Sequence, residues 1–274
     1  MRELTTEELK TLEVELKNYF PQSLQVFGCI FQLNRTRERA DPVTVLVDLW
    51  PGFRVLVIKP ELRKKGDVFK DLTVFSKDEV YLRDLLAQTD VIEWNNYICM
   101  AAELHHEKML EVVALNRGIA MKKEAVCHML VLRETTKLLS CDLTSLKVSS
   151  LNESHLDLVN GSWKFGCAES RIMIKNMLTN FPSCCILDLY DKPVAWILTY
   201  SSCALGMLYT VPEYRGKGIA KALVSIMSKR LLSLGYPVYC YTEEENKISH
   251  RLFTSLGFTE EPNFRAAWFG FNDL

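Results

Sequence analysis

The chain has 274 residues, 33 basic and 34 acidic side chains, and a formal net charge of −1. That is enough for one large or two small domains, and 48% hydrophobic with 24% charged residues is ordinary globular composition. An intrinsically disordered chain is excluded, and so is the strong basic excess expected of a nucleic-acid-binding protein. No apolar run reaches the ~20 residues of a membrane span. The acidic start, Met1 to Glu8, has no apolar h-region and resembles neither a secretory signal nor an Arg-rich transit peptide. Nine cysteines without a CxxC pair and five histidines without HExxH predict buried free thiols in a reducing compartment, with no metal site and no prosthetic group. No pattern sets an oligomeric state, and a monomer is consistent with all of these features.

Thr5 to about Tyr19 predicts an amphipathic helix, with Leu9, Leu12, Val14, Leu16 and Phe20 as its apolar stripe and acidic residues at its start, until Pro21 stops it. Gln25–Leu33, Thr44–Trp50 and Phe53–Ile58 are rich in aromatic and β-branched residues and predict three strands of an antiparallel meander. A polar loop from Asn34 to Pro42 and the Pro51-Gly52 turn would link them. From Lys77 to Leu115 the pattern is helical in pieces, and Cys127–Leu132 predicts one more strand. Arg133 to Asp142 is expected to be a linker, giving an N-terminal domain over 1–142 and a C-terminal domain over 143–274.

The second half predicts a short strand at Leu146–Val148, a helix opened by Asn152, a helix over Ser170–Asn180, and strands at Ser183–Leu189, Val194–Tyr200 and Ala204–Val211. A long helix, a strand at Val238–Thr242, a helix over Asn246–Leu256 and a last strand near Arg265–Phe271 follow. Strands alternating with helices after an antiparallel start define a mixed α/β sheet. No fixed-period repeat is visible.

The segment that carries chemistry runs from Met207 to Val224: an apolar strand, a short loop containing Gly216 and Gly218, and a helix with Ile219, Leu223, Ile226, Met227 and Leu231 as its stripe. The first N–H groups of a helix have no intrahelical partner, and the dipole adds positive potential there. Glycines let an anion approach the backbone, and Arg215 and Lys217 add full charges, an arrangement that suits a diphosphate. The plainer alternative is a tight strand–helix turn with a solvated basic flank. The loop is neither a Walker A sequence nor a GxGxxG fingerprint.

Arg215-x-x-Gly218-x-Ala220 resembles motif A of the GNAT superfamily of acyl-CoA-dependent N-acyltransferases, Arg/Gln-x-x-Gly-x-Gly/Ala. Asn246, Phe253 and Gly257-Phe258 resemble that superfamily's closing helix. The whole chain resembles the glycine N-acyltransferase family through Pro21–Gly28, Val45–Phe53, Leu158–Trp163 and Tyr209–Arg215. The resemblance implies an α/β fold of tandem GNAT-like domains, with mixed, largely antiparallel sheets flanked by helices and the acyl-CoA motif in the C-terminal domain only. It also implies acyl transfer from acyl-CoA, as co-substrate, to the amine of glycine or another small amino acid such as glutamine. A mitochondrial location comes with it, the cytoplasm being the alternative.

On that basis Leu208, Tyr209, Thr210, Arg215, Gly216, Lys217, Gly218, Ile219, Ala220, Asn246 and Phe253 are the acyl-CoA-binding candidates. The family's strand carries a glutamate proposed as base where this chain has Ala204, and its closing-helix tyrosine is Phe253 here. Glu243 and Glu244, after the strand ending at Thr242, are the candidate catalytic carboxylates, with a solvated acidic turn as the alternative. Lys164 and Arg171 are the candidate cations for an acceptor carboxylate. His250 and His155 are expected to face solvent, Cys203 to be a buried thiol, and Trp163, Trp196 and Trp268 to be core aromatics. The other class of function left open is an acyl-CoA-binding module with little or no catalysis.

Overall fold

Thr5 starts helix α1 (Thr6–Leu16) with a reciprocal capping box: Glu8 N–H donates to Thr5 Oγ1 at 3.4 Å and Thr5 N–H to Glu8 Oε2 at 2.8 Å. Leu9, Leu12 and Leu16 bury one stripe of it. The computed structural model describes residues 1–36, 42–61, 69–88, 91–140 and 147–272. These pack as two units, Met1–Cys127 with Asn263–Leu274, and His128–Pro262. The boundary expected at residue 142, like Leu146 of the short strand, lies outside the described residues.

In the first unit Gln25–Leu33 is not a strand. It lies within helix α2 (Leu24–Arg35), which buries Leu24, Phe27, Ile30 and Phe31. Those residues recur at i, i+3, i+6 and i+7, one face of a helix, and packing overrides the strand preference of Val, Ile and Phe. Asn34 and Arg35 at the end of α2 both donate to the Glu13 carboxylate of α1. The meander forms instead from β1 (Arg2–Glu3), β2 (Val43–Val47), β3 (Val55–Pro60) and β4 (Leu72–Ser76), each antiparallel to the next.

Helix α3 (Glu79–Gln88) crosses over to β5 (Ile98–Glu103), which runs parallel to β4, and α4 (Glu107–Arg117) follows. β5 interrupts the stretch expected to be helical. Its Met and Ala residues are helix formers, but they sit buried beneath Leu82, Leu86, Leu110 and Val113 of α3 and α4. β6 (Met121–Leu132) is longer than its apolar core suggested.

The second unit repeats this order. Helices α5 (Leu156–Ser162) and α6 (Ser170–Asn180) precede antiparallel β8 (Ser183–Leu187), β9 (Pro193–Thr199) and β10 (Leu205–Thr210), with β7 (Lys147–Ser149) on the outer edge. Helix α7 (Ile219–Ser233) crosses to β11 (Tyr239–Glu243), parallel to β10, and α8 (Lys247–Thr254) and β12 (Phe258–Phe271) complete the chain. β9 alternates faces as a strand buried on both sides must. Ala195 and Ile197 meet Leu223, Val224 and Met227 of α7, while Trp196 and Leu198 meet Val159, Ile174 and Met177 of α5 and α6.

The expected linker is strapped down where it is described. Leu139 N–H donates to Ser225 Oγ at 3.0 Å and Lys229 Nζ to Leu139 O at 2.8 Å. The end of β12 pairs antiparallel with β5, from Ala266–Glu103 to Phe271–Ile98. The last strand therefore serves the first unit, while the neighbour of β11 is β6, supplied by the first half of the chain.

Asp71, just before β4, accepts a hydrogen bond from Trp268 Nε1 at 2.7 Å, yet desolvation pushes its carboxyl up to about 6. The folded state thus holds a proton that the unfolded chain, with the ordinary value of 3.8, has already lost. Stability contributed by this group falls as pH rises from about 4 through 6, and the penalty is complete above that. Asp71→Asn, which keeps an acceptor for Trp268, is expected to raise the melting temperature at pH 7.5 and to lose that advantage at pH 4. Equal shifts at both pH values would show that the carboxyl is not desolvated.

Candidate active site

The turn from β9 into β10 is tight: Tyr200 N–H donates to Ala204 O at 2.9 Å, and Cys203, fully buried, holds φ +67°. Gly206 follows, where a Cβ would lie 2.1 Å from Tyr200 Cε2, so only glycine lets that ring rest on the strand. β10 then carries a bulge. Gly206 pairs with Leu198 and Tyr209 with Trp196, three residues spanned against two, and Met207 takes φ +50°. On its other side β10 is in register with β11 at Leu205–Cys240, and among the described residues no further pair joins the two strands. Beyond Leu205 they part. The bulge was not anticipated, although Gly206 inside a strand pattern is the residue that signals one.

β10 leads through the 3-10 turn Pro212–Tyr214 into the Arg215–Gly218 loop, which is exposed throughout. Gly216 and Gly218 hold φ +74° and +78° with no neighbouring atom near a would-be Cβ. Gly218 is the N-cap of α7 and no side chain caps the helix. The first intrahelical donor is Ala222, to Gly218 O at 3.1 Å, so the amides of residues 218–221 precede the ladder. Arg215 Nε donates to Thr210 O at 2.8 Å, tying the cation to the end of β10. Lys217 lies over the Tyr214 ring at 5.2 Å. An exposed, uncapped, glycine-shaped helix start flanked by two cations is an anion site.

The corresponding helix of the first unit is closed. Asp78 Oδ1 accepts from Val80 N–H at 2.9 Å and from Tyr81 N–H at 3.3 Å, so a carboxylate of the chain itself occupies the start of α3.

The remaining candidates divide. Leu208, Tyr209 and Thr210 are half-buried on β10, with Tyr209 stacked on Trp196 at 5.0 Å. Ile219 and Ala220 form the first turn of α7. Asn246 caps α8, its Oδ1 accepting from Ser249 N–H at 3.1 Å. Phe253 is 3% exposed, with its ring edge-on to Phe258 in the core beneath α7. Ala204 is 1% exposed. Two candidates named separately meet: Lys164 Nζ pairs with the Glu243 carboxylate at the end of β11, their side chains 54% and 30% exposed. Glu244 is half-buried in the turn that follows. Arg171 pairs with Asp157 instead. Of the other residues considered, Trp196 is fully buried, Trp163 and Trp268 half-buried. His155 stays at the surface and Nδ1 accepts from Asn152 N–H at 3.1 Å, while His250 is bonded to Glu260 rather than simply solvated.

The fold is α/β, two GNAT-like units in tandem. The chain is similar in fold to a Drosophila protein, with a TM-score of 0.82 at 19% identity over 98% of this chain and 97% of that one. It is also similar to a tandem GNAT protein from the clavulanic acid biosynthesis pathway, with a TM-score of 0.56 at 11% identity over 98% and 96%. Residues 3–182 match the family model for aralkyl acyl-CoA:amino acid N-acyltransferase, and residues 184–271 match the model of its C-terminal region. The chain belongs to this family and is an acyltransferase. It is 28% identical to a mouse glycine N-acyltransferase-like protein over 95% of this chain and 96% of that one. It is 28% identical to bovine glycine N-phenylacetyltransferase, covering 95% of both, and 29% identical to rat glycine N-acyltransferase, covering 95% and 94%.

Gly218→Ala is expected to destabilise the protein by about 1–2 kcal/mol through backbone strain alone, since the added methyl meets no neighbour. Lys217→Ala, at an exposed position, should change stability by less than about 0.5 kcal/mol. Urea unfolding of the two variants checks both; equal effects would remove the claim that the left-handed turn is enforced.

Proposed function

We propose that the protein transfers an acyl group from acyl-CoA to the amine of glycine, or of another small amino acid such as glutamine, by direct attack in a ternary complex. The observation that carries this reading is the open start of α7, set against the Asp78-capped start of α3. The amides of residues 218–221, with Arg215, Gly216 and Lys217, hold the diphosphate of the co-substrate. The thioester lies in the gap between β10 and β11, where backbone amides around Leu208 to Thr210 stabilise the oxyanion. The amine nitrogen attacks the carbonyl carbon, the C–S bond breaks, and CoA leaves as the thiol.

An α-amino group is mostly protonated at neutral pH, so a base helps. Ala204 offers none, and its burial means a carboxylate placed there would be desolvated. Glu243 is the carboxylate we assign to the amine's proton, and Lys164 the cation for the acceptor's carboxylate. The names of the mouse, bovine and rat relatives support glycine as acceptor. The family resemblance supports mitochondria as the compartment, which fractionation of expressing cells would test.

The second reading, an acyl-CoA-binding module with little turnover, is favoured by the apolar Ala204 and the buried Phe253. It predicts retention of acyl-CoA without amino-acid-dependent thiol release. Thiol release from benzoyl-CoA and acetyl-CoA, measured against glycine and glutamine, separates the two. Gly218→Val should raise KM for acyl-CoA about tenfold, the loss expected when two or so backbone hydrogen bonds to a charged group are weakened. Glu243→Gln should lower kcat about a hundredfold with little change in that KM. Absence of saturable acyl-CoA binding by the parent protein would overturn both readings. An unchanged kcat for Glu243→Gln would remove only the assignment of the base.

A further inference from the structure

Three side chains distant in sequence converge in the second unit, none of them in the acyl-CoA loop. His128 is on β6, His250 on α8 and Glu260 on β12. His128 Nδ1 lies 2.9 Å from Glu260 Oε1, and His250 Nε2 lies 2.7 Å from Glu260 Oε2. The imidazole rings stand 5.3 Å apart at 70°, and one nitrogen of each histidine and a carboxylate oxygen all lie within 4.8 Å of one another. The side chains are 13%, 26% and 27% exposed, so the cluster is walled by protein yet open on one side.

Two imidazole nitrogens and one carboxylate oxygen form the donor set of a zinc ion with three protein ligands and a water in the fourth position. Imidazole argues against Mg²⁺ or Ca²⁺, which take oxygen ligands. Sequence reading missed the set because its members have no metal-ligand spacing. His128 and Glu260 are 132 positions apart, and their convergence is a product of the sheet.

We propose that His128, His250 and Glu260 bind Zn²⁺, and that the ion pins α8 to β6 and β12. Helix α8 has eight residues and Phe253 as its buried residue, and a tether at His250 gives it a second fixed point. Without the ion, the two imidazoles hydrogen-bond to the two oxygens of one carboxylate. This inference does not rest on the acyl-transfer reading.

The test uses the full chain, stripped with chelator and titrated with Co²⁺ as a spectroscopic probe and with Zn²⁺ in competition. The expected result is one saturable site with visible Co²⁺ absorption, displaced by Zn²⁺, and a higher melting temperature with Zn²⁺. His250→Gln and Glu260→Gln should each weaken binding at least about tenfold, with circular dichroism confirming that the variants are folded. Glu79→Gln addresses the more exposed cluster of Glu79, His105 and His106 and should leave this site unchanged. No saturable binding overturns the proposal. So does binding that survives both His250→Gln and Glu260→Gln, or that is lost only with Glu79→Gln.

Discussion

The structure's chemistry depends on how a helix start satisfies, or leaves open, its first amides. The first four N–H groups of any α-helix lack an intrahelical acceptor, and the chain resolves this in two opposite ways. At α3 the Asp78 carboxylate fills the role and the helix start is closed. At α7 the N-cap is Gly218, which has no side chain to offer, and the adjoining loop brings Arg215 and Lys217. An acidic cap and an anionic ligand would compete for the same hydrogens, so the α3 start is closed to an anion and the α7 start is open. The dipole adds about 0.3–1 kcal/mol toward an anion at an exposed start, which makes the orienting amides and two side-chain charges the larger part of the attraction.

Around that choice the two units share a plan: two helices, three antiparallel strands, a crossover helix, a parallel strand and a closing helix. The parallel strand of each carries a neighbour from the other half of the chain, β12 beside β5 and β6 beside β11. A mutation in β12 therefore acts on the sheet edge of the first unit although it lies at the end of the chain. The same topology removes exposed edges from β5 and β11, the parallel strands of the two units.

Much of this was legible in the sequence, and the failures have physical causes. α1, α6, α7 and β8 to β11 follow hydrophobic period closely, because their apolar residues face the core. Gln25–Leu33 misled because Val, Ile and Phe favour strands, while Leu24, Phe27 and Phe31 lie on a helical stripe only visible once α1 packs on it. β5 was hidden by Met and Ala, which carry no strand preference, and was decided by its partners β4 and β12. The open geometry of the α7 loop was readable because it is local, a matter of glycines and charges within a few residues. The pairing of Lys164 with Glu243, and the convergence of His128, His250 and Glu260, were not readable. Each joins positions that only the folded sheet brings together.

The Lys164–Glu243 pair also bears on how an acceptor reaches the site. With side chains 54% and 30% exposed, it is the kind of ion pair worth about 0–1 kcal/mol, too little to explain its presence as a stabilising device. Weakness is an advantage for a pair that a zwitterion must enter. On the proposed reading, the carboxylate of an amino acid displaces Glu243 from Lys164 at small cost, and its ammonium group faces the carboxylate just released. The ligand supplies both charges that the two protein groups lose, so the exchange needs no net burial of charge. On the proposed reading, a simple amine competes poorly at this position: its ammonium form can face Glu243, but it carries no carboxylate for Lys164. Selectivity for amino acids over simple amines then follows from the pair itself, whichever group finally takes the proton.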